Sequence, residues 1–239
     1  MDDLNGRVAV VTGGAGGVGR GIVEALLEEG MRVVIADVEE PVLETAVKEL
    51  ADMGEIRGVV TDVSSPASVE ALAESVFSTE GACHLLFNNA GVTSGGGGRP
   101  WEQEANDWVW CFSVNVFGVA NGMLSFVPRM IESGEPGVVV NTSSMDGGIA
   151  PVPYASVYAS SKAAISCLPR LWRTSSSPPA PTSGRPFSTH RAACSIPASG
   201  PPSATVPPHL PASSPARPRR ARHSRSSKRS SRRRGTRLS

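Results

Sequence analysis

From Arg7 onward the chain alternates short β-branched runs with stretches of helical period, and this alternation leaves few architectures open. Arg7 to Gly13 (RVAVVTG) has the pattern of a buried strand, and Val18 to Glu29 places Ile22, Leu26 and Leu27 on one helical face before Gly30 stops it. RVVIAD (Arg32 to Asp37) is a second strand, followed by a helix from Pro41 to about Met53. IRGVVTD (Ile56 to Asp62) is a third, followed by a helix from Pro66 to Phe77. HLLFNNAG supplies a fourth strand, a long helix follows from about Glu104 to Glu132, and GVVVNTSS supplies a fifth. Strand, helix, strand repeated in this way requires right-handed crossovers, and the helices then cover both faces of a parallel sheet. The expected fold is α/β, a Rossmann-like doubly wound parallel sheet.

The pattern stops abruptly. Residues 1 to 162 carry 8 Lys and Arg against 22 Asp and Glu, a net of −14, whereas residues 163 to 239 carry 15 Lys and Arg and no acid. The formal net charge of +1 is therefore a cancellation between two unlike parts. Thirteen of the 20 prolines also fall after Lys162, so the forces that fold the body do not continue into the rest. The four cysteines, Cys83, Cys111, Cys167 and Cys194, have no CxxC or metal-ligand spacing, and no metal site is expected. The start, MDDLNGRVAVV, has no basic flank before an apolar stretch of signal-peptide length, and no apolar run approaches the ~20 residues of a membrane span. A soluble protein of the reducing cytoplasm, with no membrane partner, is the expectation.

The turn between the first strand and first helix, TGGAGGVG (Thr12 to Gly19), is rich in glycine. Glycines permit a tight turn there, and amides at a helix N-terminus can face a pyrophosphate. Such a turn alone is also compatible with no ligand. Asp37 closes the second strand, where a carboxylate can accept hydrogen bonds from both ribose hydroxyls and would repel a 2′-phosphate, which favours NAD over NADP.

Five motifs stand in register along the chain. They are T-G-x-x-x-G-x-G (Thr12, Gly13, Gly17, Gly19), N-N-A-G (Asn88 to Gly91), V-N-V-F-G around Asn115, N-T-S-S ending at Ser144, and Y-x-x-x-K (Tyr158, Lys162). In order and approximate spacing the sequence resembles the short-chain dehydrogenase/reductases, from residue 5 to about 168. The resemblance implies hydride transfer between a nicotinamide and an alcohol or carbonyl compound. It implies catalytic roles for Asn115, Ser144, Tyr158 and Lys162, with Ser143 the alternative to Ser144. It also implies that Thr12, Gly13, Gly17, Val18, Gly19 and Asp37 hold the cofactor, that Asp62 and Val63 flank the adenine, and that Asn89, Ala90 and Gly91 line the cofactor with Tyr158 and Lys162. Asn115 would interrupt the long helix and hold a water linking Lys162 to solvent.

The chemistry of the pair can be read from the residues themselves. Tyr158 and Lys162 are i and i+4, so they project from one helical face, and a nearby ammonium favours phenolate. A phenol of ordinary pKa ~10 can thereby approach working pH and exchange a proton with a substrate oxygen. Tyr154 is the internal control, since its +4 residue is Tyr158.

Pro169 lacks the amide that a helix needs and disfavours helical geometry at Leu168, so the helix carrying the pair is expected to end there. Residues 1–168 form the expected dinucleotide-binding domain, incomplete after about the fifth strand. Residues 169–239, rich in Pro, Ser and Arg, form an expected disordered tail. Synonymous codons allow Leu168–Ser176, read in a shifted frame, to spell Ala-Glu-Ala-Leu-Ala-His-Gln-Leu. In the same frame Phe187–Ile196 allows a strand and a Pro-Gly-type loop. A frameshift near residue 168 is thus the proposed origin of the tail, and it requires an open second frame in the coding DNA. On that reading the chain is weakly active or inactive, and the homo-oligomer usual for the family is doubtful. The other readings are a nucleotide-binding protein without catalysis, and a basic arm for nucleic acid, against which the lack of interleaved aromatics counts.

Overall fold

A computed structural model gives the structure of residues 3–93, 98–147, 154–175 and 187–193, with 169–175 and 187–193 described in backbone only. All of them lie in one unit, Met1–Pro207. The sheet is formed by β1 (Val8–Thr12), β2 (Arg32–Asp37), β3 (Ile56–Val60), β4 (Leu85–Asn88), β5 (Gly137–Ser143) and β6 (Phe187–Ala193), in the order β3-β2-β1-β4-β5-β6 with every pair parallel. The strands alternate with α1 (Gly17–Glu28), α2 (Glu40–Leu50), α3 (Pro66–Glu80), α4 (Ala105–Phe112), α5 (Gly118–Glu132) and α6 (Ser156–Ser175). This is the doubly wound, Rossmann-like arrangement expected from the alternation.

The middles of the central strands, Val8–Val11 of β1 and Val33–Ala36 of β2, are apolar throughout because both faces are covered, and their residues divide by parity. Val8, Val10, Val34 and Ala36 pack with Val69, Leu72 and Val76 of α3 and Phe126 and Met130 of α5. Ala9, Val11, Val33 and Ile35 face the other way, toward Val23 and Leu27 of α1 and Leu43 and Leu50 of α2. Fully buried side chains of this size each contribute about 1.5–3 kcal/mol relative to exposure. Strand order reverses between β1 and β4, so their carboxyl ends open a crevice there, as switch points in such sheets do.

Several boundaries differ from expectation for local reasons. The third helix runs to Glu80, past its last apolar residue, and stops where Gly81 takes a left-handed φ of 79°. Glu80 then ties the bottom of the sheet together, accepting from Arg32 at 2.7 Å and Arg57 at 3.1 Å. The long helix is continuous from Ala105 to Glu132 but contains one π-turn, Ser113–Phe117, around Asn115. By length and composition this helix could cross a membrane, contrary to the expectation that no run approaches that length. Here half of its apolar window is buried, and α5 packs on α3, β4 and β5.

Two expectations about the end of the body are corrected. The last helix does not end at Leu168 but passes Pro169 to Ser175. A proline deletes one donor, and Arg170, Leu171, Trp172 and Arg173 have ordinary helical propensity, so the helix survives it, as α5 survives Pro128. The sheet does not stop at the fifth strand either, because β6 pairs along all of β5, from Gly137 with Phe187 to Ser143 with Ala193. The rest of the expected disordered tail, 176–186 and 194–239, lies outside the described residues, as do residues 94–97.

At the amino ends of the strands the His84 imidazole does the work of a strand partner: its Nδ1 accepts the Val8 N–H at 3.0 Å, while backbone bonds join His84 to Val8 and Val138. The ring must therefore be neutral, with its proton on Nε2. Burial holds His84 below the usual histidine range; Arg7 and Arg32 act in the same direction and Glu135 opposes them. A depressed folded value means that the unfolded chain takes up the proton first. The contribution of His84 to stability is thus fully present above about pH 6.5 and is lost as the pH falls from there through the folded value. Urea midpoints measured from pH 8 to 5 are expected to fall more steeply for the parent than for His84→Asn, whose amide oxygen can accept the same N–H without titrating.

Candidate functional site

The glycine turn is tied to the ends of β4 and β5 by two polar side chains. Thr12 Oγ1 accepts the amides of Asn89 at 3.0 Å and Ala90 at 3.1 Å, and donates to the Phe87 carbonyl at 3.2 Å. Asn89 Nδ2 donates to the carbonyls of Thr12 and Gly13, at 3.0 and 3.2 Å, and its Oδ1 accepts from Thr142 Oγ1 at 3.2 Å. Thr12 and Asn89 therefore hold the crevice in shape, with their polar atoms committed to protein. Gly13 has φ 63°, and a Cβ there would lie 2.8 Å from Ala90 Cα. At Gly19 a Cβ would overlap the Gly13 carbonyl. Gly17 and Val18 open α1, whose N-cap, Gly16, brings no side-chain cap; no acid stands in the first turn, and nothing lies within 4 Å of a Cβ at Gly16 or Gly17. The amides of this helix end are thus left for an anion.

Beside the turn, Asp37 accepts the Ala15 N–H at 3.2 Å and the Glu39 N–H at 3.3 Å, which fixes its carboxylate at the end of β2. Its neighbours Ala15 and Val38 carry no charge, and Val38 is 61% exposed. After β3, Asp62 Oδ1 accepts from Ser64 N–H and Oγ, and so shapes its own loop. Val63 turns its side chain into the core against Gly118, while its carbonyl accepts from Asn121 Nδ2 at 2.9 Å. What Val63 offers the crevice is therefore backbone.

Tyr158 and Lys162 come together on one face of α6, as their i, i+4 spacing requires. Tyr158 and Lys162 are both buried on α6, with Lys162 Nζ 5.8 Å from the centre of the tyrosine ring and donating to the Thr142 carbonyl at 3.0 Å. A lysine only 2% exposed is held there by that carbonyl and by its neighbours. Tyr154, by contrast, lies ahead of α6, is 66% exposed and has φ 72°. Of the two candidate serines, Ser143 is turned back into α6, bonding the Lys162 carbonyl at 3.0 Å and Ser166 Oγ at 2.6 Å. Ser144 stands one residue on, its Oγ accepting the Asp146 N–H at 3.3 Å in the turn after β5.

Asn115 is fully buried, and its side chain is committed on both sides. Its Oδ1 accepts the Val92 N–H at 2.8 Å; Nδ2 donates to the Val92 carbonyl and to Ser161 Oγ, each at 2.9 Å, and lies 3.3 Å from Cys111 Sγ. Burial pushes the Cys111 thiol up, so it stays neutral. A Cβ on Gly91 would lie 3.2 Å from Lys162 Nζ and 3.3 Å from Asn115 Oδ1, which brings Gly91, the amide and the ammonium together. Thr142, Ser161, Cys111 and Val92 were not among the residues singled out in the sequence. Ser161 occupies a variable place within Y-x-x-x-K, and the others act through backbone groups or across helices. Among the described residues no group of three His, Cys, Asp or Glu side chains is placed to hold a metal.

The profile of the short chain dehydrogenase family matches residues 7–178. The chain belongs to this family. Over 167 residues the chain is 41% identical to a C alpha-dehydrogenase of Sphingobium sp. strain SYK-6, covering 69% of this chain and 53% of that protein. Over 160 residues it is 37% identical to the 1-deoxy-11-beta-hydroxypentalenate dehydrogenase of Streptomyces avermitilis, covering 66% and 59%. The chain thus spans little more than half the length of the curated relatives it matches. A crystal structure of a short chain dehydrogenase/reductase from Burkholderia phymatum in complex with NAD superposes with a TM-score of 0.74, at 40% identity, covering 81% of this chain and 66% of that one.

Proposed function

We propose that this short-chain dehydrogenase carries out NAD-dependent oxidoreduction of an alcohol or carbonyl substrate, with Tyr158 as general acid/base. The observation that carries the reading is the buried pair of Tyr158 and Lys162, the ammonium 5.8 Å from the centre of the tyrosine ring and standing against Gly91 just after β4. In this reading the amides at Gly17, Val18 and Gly19 face the pyrophosphate, and the backbone of Ala90 and Gly91 lines the nicotinamide side. Asp62 and Val63 flank the adenine, and Ser144 bonds the substrate oxygen. The bound nicotinamide supplies the hydride acceptor or donor. Tyr158 moves the proton at the substrate oxygen, Lys162 holds the phenol toward its ionised form, and the waiting carbonyl of Thr142 keeps the ammonium in place.

The residues after 178 lie beyond the family match, and the acid-free composition begins within α6, so low turnover is part of the proposal. A frameshifted origin of that composition is the accompanying reading. Val109, Phe117, Leu124 and Ile131 are exposed along the long helix from Ala105 to Glu132, but the homo-oligomer usual in the family stays doubtful for a chain whose match to it ends at 178. The free thiols of Cys83, Cys111 and Cys167 fit a reducing cytoplasm.

The reading is tested by fluorescence titration with NADH and by turnover on a panel of secondary alcohols; a chain that binds no NADH overturns it. Preference for NAD over NADP rests on the fixed carboxylate of Asp37 and the uncharged Ala15 and Val38 beside it. Replacing Asp37 by Ser is expected to lower the ratio of the NADPH and NADH dissociation constants by about tenfold, since one like-charge repulsion is removed and no cation is added.

A further inference from the structure

We propose that Ser161 is a positioning residue, which locks the Asn115 amide to the turn of α6 carrying Tyr158 and Lys162 and so sets how strongly the lysine acts on the phenol. The inference deepens the oxidoreductase reading and rests on it for its catalytic consequence. Asn115 Nδ2 has two hydrogens and three groups within reach: the Val92 carbonyl, Ser161 Oγ and Cys111 Sγ. The Ser161 hydroxyl donates to the Tyr158 carbonyl at 2.7 Å, which leaves its lone pairs for Asn115 Nδ2 at 2.9 Å and the weaker Cys111 thiol donor at 3.6 Å. Ser161 is fully buried, so no water replaces it. One oxygen atom therefore joins the backbone of the catalytic tyrosine to the π-turn of the neighbouring helix.

Without that oxygen, one Nδ2 hydrogen is left to a neutral thiol, which is a weak acceptor, and Asn115 is anchored at Val92 alone. Any movement of the amide passes to Lys162, because the ammonium and Asn115 Oδ1 both stand against Gly91. The charged and titratable groups around this contact are Tyr158 and Lys162 on α6 and Cys111 on α4, with Asp107 one turn earlier on α4. A slackened Asn115 lets the ammonium retreat from the phenol, and the phenol then ionises at higher pH.

The chain has only two tyrosines, and Tyr154 is exposed. Tyr154→Phe therefore leaves Tyr158 as the sole phenol, whose ionisation is read directly by near-ultraviolet absorbance with no need for turnover. In that background Ser161→Ala is expected to move the titration midpoint upward. Ser161→Thr, which keeps the hydroxyl, is expected to return it to the parent value, and NADH affinity is expected to stay within about twofold throughout. If Ser161→Ala does not fold, Ser161→Cys, close in size but a weaker acceptor, is expected to give a smaller upward move. An unmoved midpoint in whichever of these variants retains the parent's circular dichroism overturns the proposal, and so does a shift that Ser161→Thr leaves in place. Failure of the parent to bind NADH strikes the oxidoreductase reading instead, since the titration is read without cofactor.

Discussion

Tyr158→Phe is expected to lower turnover of any secondary alcohol the chain accepts by about 10²- to 10⁴-fold while leaving NADH binding within about twofold. The substitution removes one oxygen from a buried ring and leaves its packing intact, so neither the crevice nor α6 is disturbed. In the proposed mechanism what is lost is the atom that takes the proton from the alcohol oxygen; hydride departure would then leave a protonated carbonyl, or demand deprotonation by water, in a site built to supply neither. Lys162→Met should produce a loss of similar order but with a different signature. Removing the ammonium raises the pH at which the phenol ionises, and it also leaves the Thr142 carbonyl without its donor. Steady-state kinetics across pH, paired with NADH fluorescence titration, separates the two variants. Residual turnover of Tyr158→Phe equal to the parent's would remove Tyr158 from the mechanism.

The second large effect falls on the glycine turn. Gly19→Ala is expected to abolish NADH binding and to destabilise the fold by about 1–3 kcal/mol, the usual penalty for forcing extra atoms into a packed site. The added methyl would overlap the Gly13 carbonyl and approach Asn89 Nδ2 to 2.6 Å, and Asn89 also carries the bonds to Thr12 and Thr142. The turn cannot give way without pulling β1, β4 and β5 out of register at their carboxyl ends. Gly21→Ala, two residues along α1, meets nothing within 4 Å and should instead stabilise the helix by about 0.5–1 kcal/mol. Urea midpoints and NADH titrations on the two variants together check the argument; equal behaviour would show that the turn is not tight at Gly19.

Most of the body was legible from residues 7 to 144. The β-branched runs are continuous because two helical layers cover the sheet, and that doubly covered state has a signature that needs no tertiary information: strand, helix, strand. The parity within β1, Val8 and Val10 toward α3 and α5, Ala9 and Val11 toward α1 and α2, was not readable, since all four residues are apolar. The tyrosine and lysine were legible for a different reason. An i, i+4 spacing fixes relative direction on a helix before any packing is known. Pro169 does not end α6: the local rule reads the missing amide as a terminus, whereas one absent bond only reduces the stability of a helix whose other turns remain. The sixth strand was missed because FSTHRAA has neither an apolar run nor strict alternation.

The amino-acid order alone settled the fold class, the place of the glycine turn and the pairing of phenol with ammonium, because each depends on periods and spacings of a few residues. Only the folded arrangement decided which serine faces back into α6, that Asn89 and Thr12 brace the crevice, and that Ser161 and Cys111 share the Asn115 amide. Those contacts join segments up to 78 residues apart, and their partners are often backbone carbonyls or amides that every residue type possesses. No residue identity can announce such a contact; it exists only once the sheet has brought the strand ends together.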